Sequence, residues 1–134
     1  MAPPGKAPKK AKKTAPKAVR KSAPRPGRPV RGSATGRPVM ALIDLIGRRW
    51  VLRILWELRS GPLTFRALQE ACGGISPSVL NARLADLKET GLLEHEEAEG
   101  YRMTQLGREL TEQLAPLTGW AERWARQLEK SGKA

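Results

Sequence analysis

From Leu63 to Thr104 the chain reads LTFRALQEACGGISPSVLNARLADLKETGLLEHEEAEGYRMT. Phe65, Leu68 and Ala71 recur at helical spacing behind Thr64, whose hydroxyl suits an N-cap, and Gly73-Gly74 turns the chain. A second helix starts more firmly, with Ser76 as N-cap and Pro77 at the first helical position, where a missing N–H costs nothing. Its apolar stripe of Leu80, Leu84 and Leu87 commits one face to a core, and Gly91 stops it. The other face carries Ser76, Ser78, Asn81, Ala82, Ala85 and Glu89, small or polar groups that let a helix approach a groove closely. Leu92-Leu93 and Tyr101-Arg102-Met103 then read as two strands joined through HEEAEG, with Gly100 at the turn. Two short helices around a tight turn, followed by a hairpin, predict a winged helix-turn-helix: mainly α with a small β-hairpin.

On the N-terminal side, Pro38 should open a short helix with Val39, Leu42, Ile43 and Ile46 on one side, ended by Gly47. In the next helix Trp50, Val51, Ile54, Leu55 and Leu58 form a stripe with Leu52 and Trp56 off it. Apolar nearly all round, it is expected to be the most buried helix, closed by Gly61-Pro62. On the C-terminal side, Thr104 caps a helix with Leu106, Leu110 and Leu114, broken near Pro116. A last helix carries Leu117, Trp120, Ala121, Trp124 and Leu128, an apolar stripe longer than one small domain needs, which invites a second copy of the chain.

Charge divides the chain in two. The net charge of the 134 residues is +12, yet residues 1–36 hold 11 Lys or Arg and no acid, leaving 14 basic residues against 13 acids in the remainder. That first segment also has 7 of the 11 prolines and no aromatic, Leu or Ile, so it cannot bury enough apolar surface to offset the entropy of ordering. It is expected to be a disordered basic tail, 1–36, before a single domain over 37–130. A core of that size is marginal alone and gains from dimerisation. Lys9, Lys10, Lys12, Lys13, Arg25, Arg28 and Arg31 are the tail residues expected to hold DNA phosphates without regard to sequence.

One cysteine, Cys72, and one histidine, His95, allow no disulfide framework and no His/Cys metal cluster within one chain. Cys72 reads as a small residue buried in the interhelical turn, and His95 as a surface group. No nucleophile paired with a base, phosphate-cradling loop or facing carboxylate pair can be assembled, so neither an enzyme nor a cofactor is expected. Asp44 interrupts the best apolar run, and the polar N-terminus does not read as a secretory signal, so no membrane association is expected; the single cysteine suits a reducing, cytoplasmic location.

The stretches ALIDLIGRRWVLRILWEL from Ala41, the Leu63 segment as far as Glu94, YRMTQLGREL from Tyr101 and GWAERW from Gly119 resemble the HxlR-type winged-helix regulators of bacteria. The resemblance implies a dimeric transcription factor, often a repressor, joined through its first and last helices, which here places Val39, Leu42, Ile43, Leu117, Trp120, Trp124 and Leu128 at the dimer contact. Members that sense oxidants commonly use a cysteine just before the first helix, where this chain has Arg37. The hairpin also departs from the family: it is short, and Glu94, Glu96, Glu97 and Glu99 would repel phosphates.

The expectation is a homodimeric regulator that binds double-stranded DNA. Ser76, Ser78, Asn81 and Arg83 are its candidate base or phosphate contacts, and Thr64, Arg66 and Gln69 its candidate backbone contacts. Arg83 lies towards the core side of its helix and could instead pair with Asp86; solvated surface is the default for Arg48, Arg49 and Arg53. The rival expectation is an architectural nucleoid protein in which domain and tail coat DNA as a linker histone does. The operator, the sign of regulation and any small-molecule effector are not legible.

Overall fold

The computed structural model describes residues 22–132. Six α-helices and one hairpin follow in chain order: α1 (Pro38–Ile46), α2 (Val51–Glu57), α3 (Phe65–Cys72), α4 (Pro77–Glu89), β1 (Leu93–Glu96), β2 (Gly100–Met103), α5 (Gln105–Leu114) and α6 (Pro116–Lys130). A 3₁₀ turn over Leu58–Ser60 extends α2. The winged helix-turn-helix is therefore present, and the described residues are mostly helical with one two-stranded antiparallel sheet among them.

Local chemistry explains the boundaries. Thr64 Oγ1 accepts from the Ala67 N–H at 3.1 Å, Ser76 Oγ from Val79 N–H at 3.2 Å and Thr104 Oγ1 from Gly107 N–H at 3.1 Å, so each expected cap is made. At the end of α4, Gly91 lies at φ +82° while Leu92 N–H donates to the Leu87 carbonyl and Gly91 N–H to that of Lys88. This is a Schellman closure, and the left-handed residue it requires is why a glycine stands there. Gly73 and Gly74, both at positive φ, turn the chain between α3 and α4.

Leu68 from α3, Leu80, Leu84 and Leu87 from α4, and Val51, Ile54, Leu55 and Leu58 from α2 form the centre of the core, joined by Ile75, Leu92, Leu93 and Met103. Ile75, in the turn itself, is a core residue that periodicity could not reveal. Phe65 and Ala71 are only half-buried, while Cys72 fills the core position at the end of α3.

Helix α2 is central but not covered all round: Leu52 and Trp56 stand exposed. Trp50 belongs to the turn before it, at φ +80°, and not to its stripe, because Val51 N–H is taken by the Arg48 carbonyl and helical bonding starts with Ile54 N–H to Trp50. In α5, Leu106 is exposed and the small Gly107 is the buried residue, since a Cβ there would come within 2.3 Å of the Leu92 carbonyl oxygen. The expected break near Pro116 is slight. Ala115 alone separates α5 from α6 and keeps helical angles, φ −54° and ψ −41°.

The hairpin is more regular than expected. Its strands pair Leu93 with Met103, Glu94 with Arg102, His95 with Tyr101 and Glu96 with Gly100, so only residues 97–99 form the turn. Leu63 adds a bridge to Tyr101 through bonds of 3.0 and 2.8 Å, tying the hairpin to the start of the helix-turn-helix. Gly100 permits that approach, because a Cβ would lie 2.4 Å from the Leu63 oxygen.

Residues 22–36, the described part of the expected 1–36 tail, form a turn-rich strap, closed by the Val30–Ser33 bridge and a 2.9 Å bond from Gly27 N–H to the Gly36 carbonyl. Polar anchors and glycine turns hold it, with Ala23 and Pro24 buried near its start. The expected tail contacts Lys9, Lys10, Lys12 and Lys13 lie outside the described residues.

Candidate nucleic-acid interface

Helix α4 presents two chemically opposite sides. Leu80, Leu84 and Leu87 are fully buried against α2 and α3, whereas Ser76, Ser78 and Asn81 are exposed. Burying the leucines fixes the helix about its axis and so determines which side faces outward. Within the exposed group, Ser76 Oγ serves the cap and lies 3.5 Å from Ser78 Oγ. Asn81 makes no hydrogen bond among the described residues, leaving an amide donor and acceptor able to read a base edge.

The candidates on α3 divide. Arg66 is exposed without an ion pair among the described residues. Thr64 is exposed but already uses its oxygen as the cap. Gln69 is half-buried, and its Nε2 donates to the Ile75 carbonyl at 3.4 Å, bracing the interhelical turn.

Arg83, read both as a DNA contact and as a partner for Asp86, makes the pair. Its Nη1 lies 3.1 Å from Asp86 Oδ2, one turn along the same helix, and the same oxygen receives Arg48 Nη1 at 3.0 Å. Asp86 is 0% exposed. A buried carboxylate must be compensated, and two guanidinium groups from α4 and the turn before α2 do so. Arg48, for which solvated surface was the default, is thus a cross-brace that also donates from Nη2 to the Ser22 carbonyl at 3.2 Å. Arg53 pairs with Glu57 at 2.8 Å and reaches the Ala71 carbonyl, so it too belongs to the scaffold.

The hairpin offers phosphate little attraction. Arg102 Nε holds Glu94 Oε2 at 2.8 Å, and its Nη1 lies 3.1 Å from Glu96 and 3.9 Å from Glu99. The hydrogen bond to Glu94 and the charges of these glutamates push the Arg102 pKa up, so its cation is committed to them. His95 packs against Tyr101 with ring centroids 4.4 Å apart and the ring planes tilted by 44°.

A second surface lies at the C-terminal helix. No residue of α6 is buried; Leu117, Trp120 and Trp124 stand at least half exposed, and the two indoles stack with centroids 5.7 Å apart. Val39 and Ile43 of α1 are also exposed, with Leu42 and Leu128 intermediate. The buried side of α1 is instead Ala41 and Leu45. Cys72 is buried, and desolvation pushes its thiol above the usual range, with Arg53 opposing and Glu57 adding to the shift. Among the described residues no helix is long and apolar enough to cross a membrane, and no His/Cys/Asp/Glu group could hold a metal ion.

Comparison with known proteins places this geometry. The model of the HxlR-like helix-turn-helix matches residues 45–129. An uncharacterised HTH-type transcriptional regulator of Bacillus subtilis, YvaP, is 27% identical over 88 residues, covering 61% of this chain and 82% of that protein. The quinone-bound structure of YodB from Bacillus subtilis superposes with a TM-score of 0.60 at 29% identity, over 64% of this chain and 97% of that one. A possible HxlR family transcriptional factor from Thermoplasma volcanium aligns with a TM-score of 0.59 at 26% identity, over 66% of this chain and 85% of that one.

Proposed function

This chain belongs to the HxlR-like helix-turn-helix family of transcriptional regulators, and on that premise we propose that it is a homodimeric, sequence-specific DNA-binding repressor whose α4 enters the major groove. The supporting observation is the two-sidedness of α4: a fully buried leucine stripe behind an exposed Ser78 and Asn81, with the capping task left to Ser76. Ser76, Ser78 and Asn81 supply base-edge contacts, and Thr64 and Arg66 grip the adjoining phosphates. Gln69 and Arg83 act behind them as braces. Residues on the uncovered faces of α1 and α6 meet their equivalents in a second copy, which sets two α4 helices on successive turns of one DNA face, roughly 34 Å apart. Repression follows most simply from occupying promoter DNA. The basic tail adds affinity without sequence preference, and the protein works in the cytoplasm on the nucleoid.

Selection of bound duplexes from a random pool tests this reading. One enriched sequence with dyad symmetry is the expected result, and Ser78→Ala with Asn81→Ala should lower discrimination between that sequence and random DNA. Equal losses on both DNAs would count against base reading by α4. The acidic hairpin favours one rival, an architectural protein coating DNA through its basic segments. A broad occupancy profile along the chromosome supports that rival, and a few sharp sites support regulation.

A further inference from the structure

The strap over residues 22–36 starts at the end of α4, where its first residues are anchored. Ser78 and Glu89 are eleven residues apart on α4, three full turns, so they share one side of the helix about 16 Å apart along its axis. Glu89 Oε1 accepts the Ala23 N–H at 3.1 Å, fixing the strap at the end of the very side that carries Ser78 and Asn81. Arg48 holds the neighbouring Ser22 carbonyl while bound to Asp86 of the same helix, so the anchor shares the brace that orients α4. The far end is fixed to α1, where Asp44 Oδ2 accepts the Arg31 N–H at 3.2 Å. Between these anchors the path is set by its own turns. Ser33 Oγ accepts from the Gly36 and Arg37 N–H groups, and Gly36, at φ +75°, packs so closely that a Cβ would lie 2.2 Å from the Arg28 carbonyl oxygen.

The charges along this path are uncommitted. Arg25 and Arg28 are exposed and make no ion pair among the described residues, whereas Arg48, Arg53, Arg83 and Arg102 are all paired with carboxylates. Residues 22–36 contain no acid. The hairpin, by contrast, spends its arginine on its own glutamates.

We infer that the strap is an ordered phosphate clamp for duplex DNA, with Arg25 and Arg28 gripping the backbone beside α4 in the role the acidic hairpin leaves unfilled. The inference rests on the proposed entry of α4 into the groove. It differs from a loose polycation in one respect: the cations act from a fixed position relative to α4, so order in the strap matters as well as its charge.

The test uses the full chain, the duplex it enriches from a random pool, and a random duplex of equal length, each titrated across salt concentration. Arg25→Ala with Arg28→Ala removes two cations per chain, four from the proposed dimer, and should lower the slope of log affinity against log salt by about 3.6, weakening binding on the order of a hundredfold. Gly36→Ala removes no charge but breaks the turn, and the clamp predicts a loss of slope and affinity close to that of the arginine pair. Ser33→Ala, which deletes two of the strap's hydrogen bonds, gives the same reading if Gly36→Ala fails to fold. Gly36→Ala and Ser33→Ala binding like wild type while the arginine pair weakens would show a loose polycation and overturn the clamp. Wild-type binding by the arginine pair would overturn any strap contact. Failure of the wild-type chain to enrich a sequence would defeat base reading by α4, while the slopes on random duplex still decide the strap.

Discussion

Helices α4 and α6, 13 and 15 residues long, each carry an apolar stripe, yet the first buries every leucine of its stripe and no residue of the second is buried. The more sharply two-sided of the pair is α6, since Arg83 and Asp86 flank the leucines of α4, so surroundings and not patterning decide which stripe is covered. Helix α4 packs into the core that α2, α3 and the hairpin share, so its stripe is satisfied within one chain while Ser78 and Asn81 stay exposed. Helix α6 follows α5 outside that cluster, and its stacked tryptophans stand half exposed among the described residues. The comparison separates stability from assembly: mutations in α4 should act on folding, and those in α6 on association.

The largest expected effect probes the buried side of α4. Asp86→Ala leaves Arg48 and Arg83 uncompensated and should cost about 3–5 kcal/mol of unfolding free energy, with Leu84→Ala in a similar range, both read by urea denaturation. An unchanged midpoint for Asp86→Ala would break the distinction between the helices. Next, for the proposed homodimer, Trp120→Ala with Trp124→Ala should weaken dimerisation by about 2 kcal/mol or more per indole, seen as a monomer in sedimentation at concentrations where the unaltered chain should be a dimer. The monomer should keep its helical circular dichroism. If that pair instead unfolds the chain, α6 is part of the core.

A smaller effect sharpens the comparison at the start of α4. Ser76→Ala removes the hydroxyl that caps the Val79 N–H and should destabilise by about 1 kcal/mol, whereas Asn81→Ala should change stability by less than about 0.5 kcal/mol while altering DNA selectivity. The smallest concerns Cys72. Its thiol pKa is raised in the fold by burial, so the unfolded chain loses its proton first as pH rises. The contribution is thus fully present below the unfolded pKa and is lost as pH climbs through the folded value. Cys72→Ala should flatten the alkaline fall in stability, and alkylation of the native thiol should be slow.

Much of the fold was legible because it rests on local chemistry. Thr64, Ser76 and Thr104 announced three helix starts, and the leucine spacing of α4 announced its buried side. What escaped depended on partners distant in sequence. Nothing near Arg48 indicates that it would meet Asp86 and Ser22, and nothing near Ala23 points to Glu89. Arg83 was readable either as a contact or as a partner of Asp86, and only the burial of that carboxylate separates the two. Leu52, Trp56 and Leu106 misled for the opposite reason, since apolar character does not say whether a neighbour will be present to cover it.

The single helical residue between α5 and α6 has a geometric consequence for the choice of promoter. Because Ala115 keeps α6 in a direction set by the winged domain, an association made through α6 would transmit the angle at this joint to the separation of the two groove-entering helices. One residue inserted there would swing the tryptophans by about 100° around the axis and put the paired reading heads out of phase with the duplex. The spacer length between inverted repeats would then be encoded far from any base, at an alanine that touches no nucleic acid.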